Sequence, residues 1–124
     1  MQNFKTDQEN FWAGEFGNDY IDRNKSAQLL ASNLEYFAKS LRAAVDISSV
    51  IEFGANIGMN LKALKLLRPE IKLQGVEINK DAAEILEDVI GKENVFLESI
   101  LDFESKAQSD LVLLKGVLIH INPD

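Results

Sequence analysis

The chain has 124 residues and a formal net charge of −7, with 46% hydrophobic and 27% charged residues, which is the composition of one globular domain with a modest core. It has no cysteine and one histidine, so disulfides, a thiolate nucleophile and a cysteine-ligated metal are excluded and a histidine metal site is not expected. The chain has more acidic than basic residues and no basic cluster, which argues against nucleic acid as a partner. The absence of a membrane-length apolar stretch or signal peptide predicts a cytoplasmic protein with no membrane partner.

The first part of the chain predicts two helices separated by a loop. The "TDQE" at 6–9 is a capping box with Thr6 as N-cap, and a short helix carrying Phe11 and Trp12 should follow it. The "AGEFGNDYIDRN" that comes next is rich in glycine and Asx residues, which predicts a loop. Apolar residues then recur at helical spacing, which predicts an amphipathic helix over 26–44.

The rest of the chain alternates between predicted strands and helices. The strands are "SSVIEF", "IKLQGVEI", "NVFLESI" and the start of "SDLVLLKGVLI". The helices are 57–67, which ends before Pro69, and "NKDAAEILEDVIG", with Asn79 or Asp81 as its cap and Gly91 as its stop. This alternation predicts a doubly wound α/β fold, and right-handed crossovers give parallel strands in the order 3-2-1-4. A ligand is expected between strands 1 and 4, at their carboxyl ends.

The loop "EFGANIG" lies at that point. Gly54 lets the chain turn sharply and lets a ligand approach the backbone, and Gly58 can bring the next helix close to the sheet. Any turn between a strand and a helix can use glycine, however, so two glycines alone are weak evidence for a ligand.

Three neighbouring features narrow the choice of ligand. Glu52 is an acid inside the strand end, where it would repel a pyrophosphate but suits a cationic group. Asn56 stands where G-x-G-x-x-G has its second glycine, and no Gly-Lys-Ser/Thr of a P-loop follows. Glu77 ends the second strand 23 residues after Gly54 (77 − 54), where an acid accepts hydrogen bonds from ribose hydroxyls, although a solvated carboxylate is the alternative.

This combination resembles the class I S-adenosylmethionine (SAM)-dependent methyltransferases, whose first motif is an acid followed by three alternating glycines. Asn56 is the one departure from that motif, and asparagine tolerates positive φ better than most residues do. The resemblance implies SAM as cofactor, held by Glu52, Gly54, Ala55, Asn56, Gly58, Glu77 and Ile78.

The resemblance also implies contacts further along the chain. Ser99 aligns with an acid that meets the adenine amino group in the family, and the Ile100 N–H could meet the adenine ring. Asp102 is a second possible adenine contact or, equally, a capping or solvated acid. Lys115 would line the site through its backbone, as would the glycine after it.

The N-terminal segment "FWAGEFGNDYIDRN", followed by a helix and then by "EFGANIG", resembles the methylases associated with pseudaminic acid biosynthesis. This resemblance covers the whole chain and implies a nucleotide sugar or a nonulosonic-acid precursor as the small-molecule acceptor. We expect a single domain over 1–124, with residues 1–25 as a lid and 26–124 as the core. Tyr20 and Arg23 would reach the methionine carboxylate, whereas Trp12 and Phe16 are expected to pack a helix onto the sheet.

The resemblance implies a further helix and about three more strands after residue 124, so we expect the chain to be a fragment. Self-association through the exposed strand at 110–115 would follow. His120 is the one obvious general base, or else a structural loop residue. The sequence thus favours SAM-dependent methyl transfer to a small molecule. Two alternatives remain, a cofactor-binding or interaction module without catalysis and, less favoured, an NAD-dependent enzyme.

Overall fold

The computed structural model describes residues 7–13, 27–105 and 108–114. Within these ranges the helices are α1 (Asp7–Ala13), α2 (Ala27–Ser40), α3 (Met59–Leu67) and α4 (Lys80–Ile90), with a short 3-10 helix at Lys92–Asn94. The strands are β1 (Ser49–Phe53), β2 (Lys72–Glu77), β3 (Val95–Leu97) and β4 (Leu111–Leu114). No helix in the described part of the chain is long and apolar enough to cross a membrane.

The four strands are parallel and lie in the order β3-β2-β1-β4, which confirms the α/β fold and the strand order predicted from the sequence. Glu52 pairs with Gly75, and Phe53 pairs with Val76, so β1 and β2 finish side by side. The carboxyl ends of these two central strands therefore form one edge of the sheet, and Glu77 lies at that edge.

The helix ends follow the local chemistry of the chain. The side chain of Asn79, and not Asp81, caps α4 by accepting a hydrogen bond from the Ala82 N–H at 3.0 Å, and α4 stops at Gly91 with φ 92°. The helix α2 ends at Ser40, four residues earlier than predicted. Arg68 donates to the backbone carbonyls of Leu41 and Ala44 at 2.7 and 2.6 Å. The side chain of a residue distant in sequence therefore provides hydrogen-bond donors for carbonyls just past the end of this helix.

The main core lies on one face of the sheet, where α2, α3 and α4 pack around fully buried leucines. Leu61 and Leu64 come from α3 and Leu86 from α4. Gly75 sits beneath them, and a Cβ there would lie 2.8 Å from Leu86 Cδ2 and 3.1 Å from Ala55 Cβ. The close approach of α4 to β2 therefore requires glycine at this strand position, which the strand pattern did not indicate.

The opposite face carries an aromatic cluster near the carboxyl edge. Val76 on β2 pairs with Phe53 on β1 and with Phe96 on β3. The ring of Phe103 lies 5.8 Å from that of Phe53 and 5.1 Å from that of Phe96. Such tilted ring pairs are a favoured aromatic geometry. The cluster fixes the turn that follows β3 against the sheet.

On the same face, β4 exposes apolar surface. Val112 is 52% and Leu114 43% exposed in the described structure. Self-association through this strand stays a prediction.

Asp110 joins the amino ends of β1 and β4. Its Oδ2 accepts hydrogen bonds from Ser48 N–H and Ser48 Oγ, both at 2.8 Å, and from Ser49 N–H at 3.2 Å. The Asp110 N–H in turn donates to Ser49 Oγ at 2.9 Å. The backbone N–H of Ser48, followed by its hydroxyl, lowers the pKa of the Asp110 carboxyl below its ordinary value of 3.8.

The substitution Asp110→Asn should lower the urea midpoint by a small amount at pH 7, because Asp110 lies in solvent. A carboxyl with a lowered folded-state pKa stabilises the fold above pH 3.8, and that stability is lost as the pH falls through the folded-state pKa. Urea titrations of both proteins at several values between pH 7 and pH 3 should therefore show a gap that closes below about pH 4. A gap that stays constant down to pH 3 would contradict this assignment.

Candidate functional site

The turn between β1 and α3 uses three left-handed residues at alternate positions. Gly54 has φ 72°, Asn56 φ 54° and Gly58 φ 83°. Asparagine is among the residues that enter this region most readily, which is what the sequence led us to expect at the one position that departs from the glycine pattern. All three alternate positions of the turn, the asparagine included, therefore adopt the left-handed conformation.

Four backbone N–H groups of this turn are bonded within the protein. Gly54 and Ala55 both donate to the Val76 carbonyl, at 2.8 and 3.1 Å, and Gly58 donates to the Ala55 carbonyl at 3.0 Å. The Asn56 N–H donates to Glu77 Oε1 at 2.8 Å. A pyrophosphate cradle needs N–H groups that point at the ligand, and these four point at protein oxygens instead.

Glu77 is buried at the carboxyl end of β2, and backbone donors hold both of its oxygens. Oε1 accepts from the Asn56 N–H and Oε2 from the Asn79 N–H, each at 2.8 Å. Burial raises the pKa of Glu77 above its ordinary value, and hydrogen bonds from the N–H groups of Asn79, Asn56 and Ile78 oppose that rise. Since each carboxylate oxygen offers about two acceptor positions, these three donors leave at least one position for a ribose hydroxyl.

Glu52 is a second buried acid at the same edge, with only 1% of its surface exposed. Its Oε2 accepts a hydrogen bond at 2.7 Å from Nδ2 of Asn60, which lies in the first turn of α3. Our sequence analysis missed Asn60. The signal was present, because a buried acid needs a partner and Asn60 is the one side-chain amide in α3.

Gly58 is the N-cap of α3 and is buried against α4. A Cβ at this position would lie 2.5 Å from Leu86 Cδ1 and 3.7 Å from Val89 Cβ. The residue therefore allows α3 to approach α4. The sequence analysis predicted an approach of this helix to the sheet and did not predict its approach to α4.

Ser99 is buried and organises the turn after β3. Its Oγ accepts from the Leu101 N–H at 3.1 Å, and its carbonyl accepts from Asp102 and Phe103 at 3.0 and 3.1 Å. Asp102 is exposed, and Ile100 is half-buried. The Glu98 N–H donates to the Glu77 carbonyl at 3.1 Å, so this turn starts next to Glu77, where the adenine end of a nucleoside is expected.

The helix α1 also reaches this edge. Asn79 Nδ2 donates to the Ala13 carbonyl at the end of α1, at 3.3 Å, while Asn79 Oδ1 caps α4. The buried side chain of Asn79 thus connects the end of α1 to the start of α4, next to Glu77. The predicted site residues Tyr20, Arg23, Lys115 and His120 lie outside the described residues.

Comparisons with solved structures agree on the fold. The chain is similar to the plantazolicin methyltransferase BpumL in complex with S-adenosylhomocysteine (SAH), with a TM-score of 0.65 and 17% identity over 86% of this chain and 44% of that one. It is similar to the sugar N-methyltransferase KedS8 from Streptoalloteichus, with a TM-score of 0.62 and 17% identity over 93% and 43% of the two chains. A magnesium protoporphyrin IX methyltransferase from Synechocystis with bound SAM gives a TM-score of 0.66 and 13% identity over 98% and 67%.

At these identities the likeness establishes a Rossmann-like methyltransferase fold. No model of a known protein family matches the sequence, and no curated protein matches it. The chain spans less than half the length of BpumL and of KedS8.

Proposed function

We propose that the chain binds SAM and forms the cofactor-binding part of an enzyme that transfers a methyl group to a small molecule. The observation that carries this proposal is the pair of buried acids at the carboxyl edge of the sheet. Glu77 is fixed by backbone N–H groups and retains an acceptor position for a ribose hydroxyl. Glu52 places a second carboxylate at the end of the neighbouring strand, where the cationic methionine part of SAM would lie.

The turn between β1 and α3 argues for SAM over a dinucleotide. NAD carries a pyrophosphate, which needs free N–H donors and no nearby acid. Here the N–H groups of Gly54, Ala55, Asn56 and Gly58 are bonded to protein oxygens, and Glu52 lies at the base of the turn. SAM has no phosphate. Its ribose would bind to Glu77, and its ammonium group would lie near Glu52.

Methyl transfer is an in-line displacement at the methyl carbon next to the sulfonium. The protein contributes position, and it contributes a base when the acceptor is a hydroxyl. Ser99 and Ile100 would border the adenine, with Asp102 beside them, and Lys115 would line the cofactor through its backbone. His120 is the proposed base.

We propose a nucleotide sugar or a nonulosonic-acid precursor as the acceptor class, because the N-terminal segment resembles the pseudaminic acid-associated methylases. The contact between Asn79 and the Ala13 carbonyl supports a role for residues 1–25 as a lid, since α1 ends at the edge where the cofactor would lie. Tyr20 and Arg23, further along this segment, would then reach the methionine carboxylate.

Titration calorimetry with SAH and with NAD tests the proposal. We expect saturable binding of SAH and at least tenfold weaker binding of NAD, because four N–H groups of the turn already donate to protein oxygens and Glu52 would repel a pyrophosphate. Tighter binding of NAD would contradict the proposal. Methyl transfer from labelled SAM to a panel of nucleotide sugars then separates an enzyme from a cofactor-binding module, which would bind SAH without transferring label.

A further inference from the structure

We propose that Asn60 is a positioning residue that aims the Glu52 carboxylate at the ammonium group of the bound methionine part. This inference rests on the proposed function and adds to it a residue outside the glycine motif. It starts from the hydrogen bond of 2.7 Å between Asn60 Nδ2 and Glu52 Oε2.

The setting of Glu52 makes this bond informative. The residue lies on a central strand, opposite Gly75 on β2 and Leu113 on β4, so neither cross-strand neighbour offers a polar side chain. Its carboxylate is buried on the face covered by the helices. Asn60 approaches it from the first turn of α3, directly after the turn that would surround the ligand.

The chemistry of the donor matters as much as its place. A lysine or arginine at position 60 would neutralise Glu52 and compete with a cationic ligand for it. An amide N–H is a neutral donor, so it can fix the orientation of the carboxylate without competing with the ammonium group for it. Asn60 thus orients the Glu52 carboxylate without neutralising it.

A purely structural role makes a different prediction. If Asn60 only satisfied a buried carboxylate, its loss would lower the stability of the fold and weaken every nucleoside ligand to the same degree. A positioning role instead acts on the amino-acid part of the ligand alone. Comparing SAH with 5′-methylthioadenosine, which has the same nucleoside but lacks the amino-acid part, separates these two roles.

The experiment measures the affinities of both ligands for the wild type, Asn60→Ala, Asn60→Lys and the control Lys62→Ala. Lys62 is exposed on the same helix, so its variant should behave as the wild type does. For Asn60→Ala we expect roughly tenfold weaker SAH binding, the scale of a hydrogen bond to a charged group, with methylthioadenosine within about twofold. Asn60→Lys should lose SAH binding in the same selective way although it pairs with Glu52, and it keeps the test open if the alanine variant does not fold.

The outcomes distinguish this inference from the proposed function. A wild type that binds neither ligand contradicts the proposed function itself. A wild type that binds both, with variants that lose both ligands equally or neither, overturns the role of Asn60 and leaves the proposed function standing. Selective loss of SAH in either Asn60 variant supports the inference.

Discussion

Replacing Glu77 with alanine should weaken SAH binding by roughly 10- to 150-fold, which corresponds to about 1.5–3 kcal/mol. The reason is the loss of the carboxylate that would accept from the ribose. The same substitution leaves the N–H groups of Asn56 and Asn79 without their acceptor, so the fold is also destabilised. Calorimetry should therefore be combined with a denaturation curve, so that lost affinity is measured on folded protein.

Glu77→Gln is the second variant in this series, and Glu84→Gln is the control. Glu84 is exposed on α4, so its variant removes the same charge without touching the site. The wild type should also lose SAH affinity as the pH is lowered. Because burial raises the pKa of Glu77 above 4.5, the carboxyl takes up a proton above that value, and a protonated carboxyl offers fewer acceptor positions to a ribose. Equal SAH affinity in the wild type and both Glu77 variants would contradict the ribose contact.

The substitution Gly54→Val should abolish detectable SAH binding. Gly54 has φ 72°, which a β-branched residue adopts only with backbone strain of about 1–3 kcal/mol. A side chain there would also enter the space through which the ligand is expected to approach the backbone. Binding is followed by calorimetry, and Gly54→Ala should give an intermediate loss because alanine has a Cβ but no branch.

Asn56→Gly is the matched control for this loop. Glycine adopts the φ of 54° freely, and the Asn56 Oδ1 has no hydrogen-bond partner in the described structure, so no bond to that oxygen is lost. This variant should bind SAH within about twofold of the wild type, well below the tenfold change that 1.4 kcal/mol produces. If Gly54→Val bound SAH as tightly as Asn56→Gly does, the turn would have another purpose.

Short-range signals in the sequence were sufficient to predict the architecture. Alternating strands and helices, with right-handed crossovers, predict the order that is observed. The two ends of α4, at Asn79 and Gly91, were predictable because a side-chain cap and a glycine with positive φ are local features of the sequence. The positive φ of Asn56 was also predictable, since it depends on the shape of one turn.

The residues that sequence reasoning missed all act through contacts between different helices and strands. Asp110 bonds to Ser48, 62 positions earlier, and Gly75 is required by a leucine on a later helix. Asn60 was missed because the helical pattern of α3 does not show that its amide faces Glu52, although the need of a buried acid for a partner pointed to it. Such partners become visible only when the register of the sheet and the packing of the helices are known.

The most direct test of the SAM site is a crystal structure of the protein grown with SAH. We predict that the ligand lies at the carboxyl ends of β1 and β2, with its ribose within hydrogen-bond distance of the Glu77 carboxylate and its ammonium group beside Glu52. A ligand bound elsewhere, or a ribose that does not contact Glu77, would contradict the account.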